Sequence, residues 1–315
     1  MRHFFLVHLP IDGTHRRAYL YQPLAVYSYK VKKVAAVHDL SGVGRVSLTV
    51  VIPILSSMGF QVCPLPTAVL SNHTQYPDFS LLDLTAEMPR IIEQWRGLGV
   101  GFDAIYTGYL GSPKQAQIVA DFIDEFRRPE GLVVVDPVLG DNGALYANFT
   151  SAMVEEMKQL VEKADVVTPN LTELHFLLGL APDATPTEDE LKTRLKQLAD
   201  QGPEVVIVTS VPVAGEPQKT SVYAYNRRGE RFWKVTCSYL PAHYPGTGDT
   251  FTSVITGALL QGDSLPIALD RATQFILQGI RATFGYEYDN REGILLEKVL
   301  HNLDVPIQSA SYELI

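Results

Sequence analysis

The sequence predicts a doubly wound α/β fold, with a mainly parallel sheet flanked by helices on both faces. Three observations carry this reading. From Val31 onward, strand-like and helix-like apolar patterns alternate with regularity. Strand-like runs at 132–135 and 166–167 are continuously apolar, and 204–209 is so between Glu204 and Thr209, as strands buried on both faces must be. The notable polar residues fall mostly just after strands: His38-Asp39, Ser71-Asn72-His73-Thr74, Gly108-Tyr109, Asp136, Asp141, Thr168, Asn170 and Thr209-Ser210. In a parallel sheet these positions share the carboxyl edge, where ligands bind.

The first unit reads as a strand at 33–38, a helix at 44–58 with Leu48, Val51, Ile52 and Leu55 on its apolar side, and a strand at 60–65. A helix at 85–96 and a strand at 102–107 follow. Ser112-Pro113-Lys114-Gln115 then opens a helix with an N-cap, a proline in the first turn and a capping-box Gln. Its stripe is Ile118, Val119, Phe122, Ile123 and Phe126. After the apolar strands named above, residues 221–225 and 231–236 flank Asn226-Arg227-Arg228-Gly229 as an antiparallel hairpin at or near a sheet edge. Helices at 246–260 and 265–283 complete the pattern. No internal repeat, low-complexity tract or linker divides the chain.

Residues 1–30 do not join this alternation. Tyr19, Tyr21, Tyr27 and Tyr29 alternate as in an edge strand, but the segment carries no recognisable chemistry. It lacks a cleavage-site pattern and reads as an extension of unknown role rather than a signal peptide. One expectation is that translation naturally starts at Val31 from a GUG codon, which intact-mass measurement of the native protein would test.

Composition narrows the function classes. The 315 residues, 46% hydrophobic, suffice for a large core. With 26 Lys+Arg against 35 Asp+Glu the formal net charge is −9, and no basic block marks a nucleic-acid partner. No apolar run approaches the ~20 residues of a membrane span. Cys63 and Cys237 are too few for a disulfide framework or a four-cysteine zinc site, and they read as reduced core residues of a cytoplasmic protein.

The stretch with most chemical content is Pro245-Gly246-Thr247-Gly248-Asp249-Thr250-Phe251. Phe251, Val254, Ile255, Ala258 and Leu259 recur at helical spacing behind it, so the glycines sit at a helix start. There, close backbone approach, unpaired N–H groups and the positive dipole end suit a phosphate. A carboxylate beside that anion needs a task, such as taking a proton from an attacking hydroxyl. A plain helix start, with Thr247 as N-cap and Asp249 favoured by the dipole, is the competing reading. Asn170 and Glu173 likewise form either a variant capping box or a magnesium site completed by water and phosphate. Ser41-Gly42-Val43-Gly44-Arg45 resembles a dinucleotide turn. It fails because Ser47 holds the third glycine position and no acid follows the second strand. There is no Walker A loop, and neither His38 nor His73 has zinc-ligand spacing.

Five stretches, in one order and spacing, resemble the pyridoxal kinase branch of the ribokinase-like superfamily: Ser71-Asn72-His73-Thr74, Thr107-Gly108-Tyr109, Asp136-Pro137-Val138-Leu139-Gly140-Asp141, Thr168-Pro169-Asn170 with Glu173, and Gly246-Thr247-Gly248-Asp249. The resemblance spans about Lys32 to Thr283. It implies a single ribokinase-like kinase domain over 31–315 and ATP-dependent phosphorylation of the 5′-hydroxymethyl group of a vitamin B6 vitamer. By that resemblance Asp249 is the base, and Gly246, Thr247 and Gly248 hold the transferring phosphoryl group. Asp136, Thr168, Thr209 and Ser210 lie toward the nucleotide, and Asn170 and Glu173 toward Mg²⁺, with K⁺ an open addition. Asp39, Ser41, Thr74 and Tyr109 line the substrate pocket, and the family suggests a homodimer. The first loop departs from the usual longer Ser-His form: His38-Asp39-Leu40-Ser41-Gly42-Val43-Gly44-Arg45 is similar to the bacterial pyridoxamine kinase branch and leans toward hydroxymethylpyrimidine kinases. Asp39 stands where a pocket serine is usual. Two alternatives stay open: a hydroxymethylpyrimidine kinase, and a nucleotide-binding protein of the same fold without kinase activity.

Overall fold

The computed structural model describes residues 30–147, 149–181, 185–240, 242–304 and 311–315. The tyrosine alternation at 19–29 lies outside these residues. Val31–Ile315 forms one compact unit. In chain order it comprises β1 (Lys33–Ser41), α1 (Leu48–Ser57), β2 (Gln61–Leu70), β3 (Leu81–Asp83), α2 (Met88–Gly97), β4 (Phe102–Thr107), α3 (Pro113–Phe126), β5 (Arg127–Val135), β6 (Gly140–Asp141) and β7 (Ala144–Leu145). There follow α4 (Ser151–Glu162), β8 (Val166–Val167), α5 (Leu171–Leu178), α6 (Glu188–Ala199), β9 (Val205–Pro212), β10 (Lys219–Asn226), β11 (Arg231–Ser238), α7 (Thr247–Gln261), α8 (Leu265–Thr283) and β12 (Tyr312–Leu314), with short 3₁₀ turns between Asn290 and Asp304.

Among the described residues ten strands form one sheet, in the order β12-β11-β10-β9-β8-β5-β4-β1-β2-β3. The six strands from β9 to β2 run parallel, while β10, β11 and β12 add antiparallel pairs at one end and β3 at the other. The β10–β11 hairpin therefore sits one strand in from the edge, covered by β12.

Two-residue alternation sends successive strand side chains to opposite faces. Val34, Ala36, Tyr106, Val134 and Ile207 meet α1, α7 and α8 on one face. Ala35, Val37, Ile105, Val133, Val135 and Val208 meet α2 to α6 on the other. Each face is a continuous apolar core, and full burial of a single Leu or Ile contributes about 1.5–3 kcal/mol. Pro64 and Pro66, which lack ladder donors, are accommodated because β3 pairs only with Ala68–Leu70 and leaves that side of β2 open.

Four local expectations are corrected. Helix α1 begins at Leu48 rather than Gly44, because Gly44 (φ 96°) and Ser47 (φ 50°) hold the intervening residues in a non-helical loop. The cap of α7 is Gly246, in the left-handed region at φ 77°, and Thr247 is already inside the helix. Ser112 does cap α3, accepting from the Gln115 amide, but the Gln115 side chain reaches past it to accept from the Gly111 N–H at 2.7 Å, so the reciprocal box is absent. Cys63 and Cys237 are free thiols, half-buried rather than core.

Candidate active site

The carboxyl ends of β1, β4, β5 and β8 converge on the first two turns of α7. At that turn Gly246 cannot carry a side chain: a Cβ would stand 2.0 Å from the Arg45 carbonyl oxygen, and φ is positive. The first-turn amides of α7 have no intrahelical acceptor and point out of the helix beside the carboxylate of Asp249.

Asp249 is gripped from the first loop. Its Oδ2 accepts from the Ser47 N–H at 2.8 Å, and its side chain keeps 14% exposure. Burial, reinforced by the charge of Asp39, raises its pKa to about 6. Ser47 lies in a backbone region that favours glycine, at φ 50° and ψ −131°, strain of the kind that gathers at functional sites. The geometry is therefore glycine-like although the residue is not. A serine here adds a hydroxyl that donates to Asp39 Oδ1 at 2.5 Å, while Ser41 donates to Asp39 Oδ2 at 2.9 Å. Asp39 is thus a buried carboxylate that ties the two ends of the first loop together, with a pKa raised by burial against those two donors. Ser41 is fully buried and backs Asp39.

A second acidic group lies across the turn. The Asp136 amide continues the ladder by donating to Thr107 O at 2.9 Å, and its Oδ2 accepts from Thr252 Oγ1 at 3.3 Å. Thr252 in turn meets Thr168 Oγ1 at 3.0 Å, so a residue one turn into α7 links β5 and β8. Asp136 is held well above the usual carboxylate range by burial, then by the charges of Glu173 and Asp249. Glu173 is raised to about 7 by burial, against amides that favour its ionised form. Its Oε2 accepts from Asn170 N and its Oε1 from Leu139 N, both at 2.9 Å. The Asn170 side chain accepts from Glu173 N at 2.9 Å, so the capping box is complete. Asn170 also ties this corner to the β6–β7 turn by donating to Gly140 O at 2.8 Å.

Beyond it, the Thr209 amide donates to Pro169 O at 3.1 Å. The register of β9 against β10 then slips, so that Val222 alone faces Thr209 and Ser210. That bulge carries Ser210 to φ 59° and leaves it exposed. Near the carboxyl end of β11 a cavity of about 390 Å³ opens against α8, lined by Lys219, Thr236, Cys237, Ser238, Gln274 and Leu277 among others.

Beside the first loop, where a Cβ at Gly44 would meet its ring, His73 is buried and its Nε2 lies 2.5 Å from the Arg291 carbonyl oxygen, while the following Thr74 is exposed. Tyr109 is half-buried and stacks on Phe149, centroids 5.7 Å apart and planes 16° from parallel. The segment after α8 fastens this side. Arg45 bonds to Glu297, Tyr288 and the Glu292 carbonyl, and its own amide donates to Glu292 O at 3.0 Å. Sequence reading missed Ser47, Arg45, Arg291 and Thr252. Only the serine at a glycine position gave any signal, and its decisive group is a backbone N–H that no motif displays.

The sequence model of the phosphomethylpyrimidine kinase family matches residues 84–292. A pyridoxine/pyridoxal/pyridoxamine kinase of Bordetella avium is 32% identical over 251 residues, covering 76% of this chain and 81% of that one. The chain belongs to the pyridoxal kinase family. The crystal structure of a Lactobacillus plantarum pyridoxal kinase superposes with a TM-score of 0.80 at 32% identity, covering 87% of this kinase and 97% of that one. A Bacteroides thetaiotaomicron protein, provisionally described as a phosphomethylpyrimidine kinase and crystallised with pyridoxal, shares 78% identity with a TM-score of 0.89, over 91% of this chain and 100% of that one. Among the described residues, no helix is long and apolar enough to cross a membrane.

Proposed function

We propose that this protein is an ATP-dependent kinase that phosphorylates the 5′-hydroxymethyl group of a vitamin B6 vitamer, with Asp249 as general base. The observation that carries the assignment is the meeting, at one point, of a glycine-capped helix N-terminus and a carboxylate raised to about 6, which is ionised at neutral pH yet basic enough to accept a proton.

In the reaction the vitamer's hydroxyl oxygen forms a bond to the γ-phosphorus of ATP, its proton passes to the Asp249 carboxylate, and the bond to the β–γ bridging oxygen breaks to release ADP. The amides of the cap Gly246 and of Thr247 and Gly248 stabilise charge on the transferring phosphoryl group, because they are preoriented and need not reorganise. Thr168, Asp136, Thr209 and Ser210 face the nucleotide, and the cavity between β11 and α8 takes its base. Asp39, backed by Ser41, lines the vitamer pocket with Thr74, and Tyr109 offers an aromatic face to the pyridine ring.

The residues present fit Mg²⁺. Asp136 and Glu173 are buried and Asp249 nearly so; all three are raised by burial, and Asp136 also by the charges of the other two, an arrangement a cation relieves. Mg²⁺ keeps most of its water and needs few direct protein ligands. Bound there through water by Asn170, Glu173 and Asp136, it would neutralise phosphate charge. The protein is expected to be cytoplasmic and homodimeric.

The test is ADP release by the purified protein with pyridoxamine, pyridoxal, pyridoxine and hydroxymethylpyrimidine in turn. Turnover of a B6 vitamer is expected. Turnover of hydroxymethylpyrimidine alone would replace this reading with the pyrimidine kinase one, and no ADP release with any would refute both.

A further inference from the structure

The mechanism above makes no use of His38, which lies in β1 next to Asp39 and has no exposed surface. Its ring stands edge-on to Tyr106, centroids 4.4 Å apart and planes at 79°. On the Gly108 side, a Cβ would come within 2.2 Å of Nδ1, so only glycine lets β4 end there. Neither ring nitrogen has a hydrogen-bond partner among the described residues. A buried polar side chain with no partner calls for an explanation. The charged group facing Nδ1 is the carboxylate of Asp249, with Oδ1 at 3.9 Å.

Burial takes the His38 pKa down to about 3, opposed by a contact with the Tyr106 backbone that lacks hydrogen-bond geometry, so the ring is neutral during turnover. A neutral imidazole carries one N–H and one bare nitrogen. With the proton on Nδ1 the N–H meets the carboxylate, whereas the other tautomer sets two lone pairs against each other.

We propose that His38 is a positioning residue whose neutral imidazole, protonated at Nδ1, holds Asp249 Oδ1 while the Ser47 amide holds Oδ2, fixing the plane of the base. The proposal rests on Asp249 being that base. The 3.9 Å separation shortens to a hydrogen bond in the complex, as contacts of catalytic groups commonly do. The other ionisable groups around Asp249 are Asp39 on β1, Asp136 after β5, Tyr106 on β4, whose hydroxyl lies 3.4 Å from the Asp249 carbonyl, and Tyr146 beyond β7. The acids all favour a protonated Asp249. His38 and Ser47 N are the donors that favour the carboxylate.

Two substitutions separate the donor from the volume. His38→Asn places an amide N–H near the position of Nδ1, and His38→Leu fills space without a donor. With saturating ATP and Mg²⁺ and one vitamer throughout, His38→Leu should move the acid limb of the kcat profile upward by about one pH unit, lowering kcat about twofold at pH 7 and up to roughly tenfold on the acid limb, with KM within about twofold. His38→Asn should restore the wild-type limb. A limb that stays put in both variants, or moves equally in both, overturns the proposal. A second measurement needs no variant: ¹⁵N spectra of the wild-type imidazole, assigned through its contacts with the Tyr106 ring, should show the Nδ1–H tautomer. The Nε2–H tautomer overturns the proposal even if both variants fail to fold. If Asp249→Asn keeps normal turnover, the base assignment fails separately, whatever the tautomer.

Discussion

Replacing Asp249 with Asn should slow the enzyme and stabilise it at once. The amide keeps the shape of the carboxylate, and its oxygen can still accept from the Ser47 N–H. Removing a general base lowers rate by ~10²–10⁴-fold, and here the loss should fall on kcat, with nucleotide affinity within a few-fold. The stability gain follows from the raised pKa. Folding lifts the group from 3.8 to about 6, so at pH above about 6 the native state carries a carboxylate that it disfavours relative to the unfolded chain. One pKa unit corresponds to about 1.4 kcal/mol, and the shift bounds the cost on the order of 2–3 kcal/mol. The sign is the reverse of the usual salt-bridged aspartate: the cost is fully present above about 6 and disappears as pH falls toward 3.8. Asp249→Asn should therefore melt roughly 4–6 °C higher than wild type at pH 8, by about 2 °C per kcal/mol for a domain of this size, and the difference should shrink by pH 5. Differential scanning calorimetry at the two pH values, paired with coupled ADP-release kinetics, tests both halves. Near-normal turnover would show that the base is elsewhere. A melting difference independent of pH would show that the carboxylate is not destabilised by its surroundings.

Glu173→Gln should raise the Mg²⁺ concentration needed for half-maximal activity more than it changes vitamer KM, because the amide oxygen can keep only part of the capping geometry and loses the charge; unchanged magnesium dependence with a lower Tm would restrict Glu173 to its cap. Asp39→Ser should narrow any preference for pyridoxamine over pyridoxal in a competition assay, since a carboxylate favours a cationic amine; an unchanged preference would confine Asp39 to anchoring Ser41 and Ser47. Gly246→Ala should cost about 1–2 kcal/mol for the left-handed backbone and a further 1–3 kcal/mol for displacing Arg45 O, read as a lower denaturation midpoint, with kcat falling more than nucleotide affinity. A fully active, stable Gly246→Ala would mean that the turn does not need glycine.

Much of this protein was legible in its sequence because local rules governed those parts. Continuous apolar runs marked β5, β8 and β9, since a strand buried on both faces has no polar side to show. The pattern at 265–283 matched α8 because its helical stripe is long and its ends are abrupt. Gly246, Asp249, Asn170 and Glu173 were legible as a glycine helix start and a cap because each depends on neighbours within three or four residues. The short elements β3, β6, β7 and β12 gave no usable period, and they exist because a neighbouring strand supplies their partners. Tertiary structure alone decided that Ser47, 202 residues before Asp249, would donate its backbone amide to that carboxylate. It also decided that Ser41 and Ser47 would close on Asp39, and that a buried His38, without a hydrogen-bond partner among the described residues, would face the Asp249 carboxylate. These are consequences of which strand ends the sheet order brings together. A hydrogen bond from a main-chain N–H, or a pKa raised by burial, belongs to that assembly and leaves no mark on the identity of any one residue.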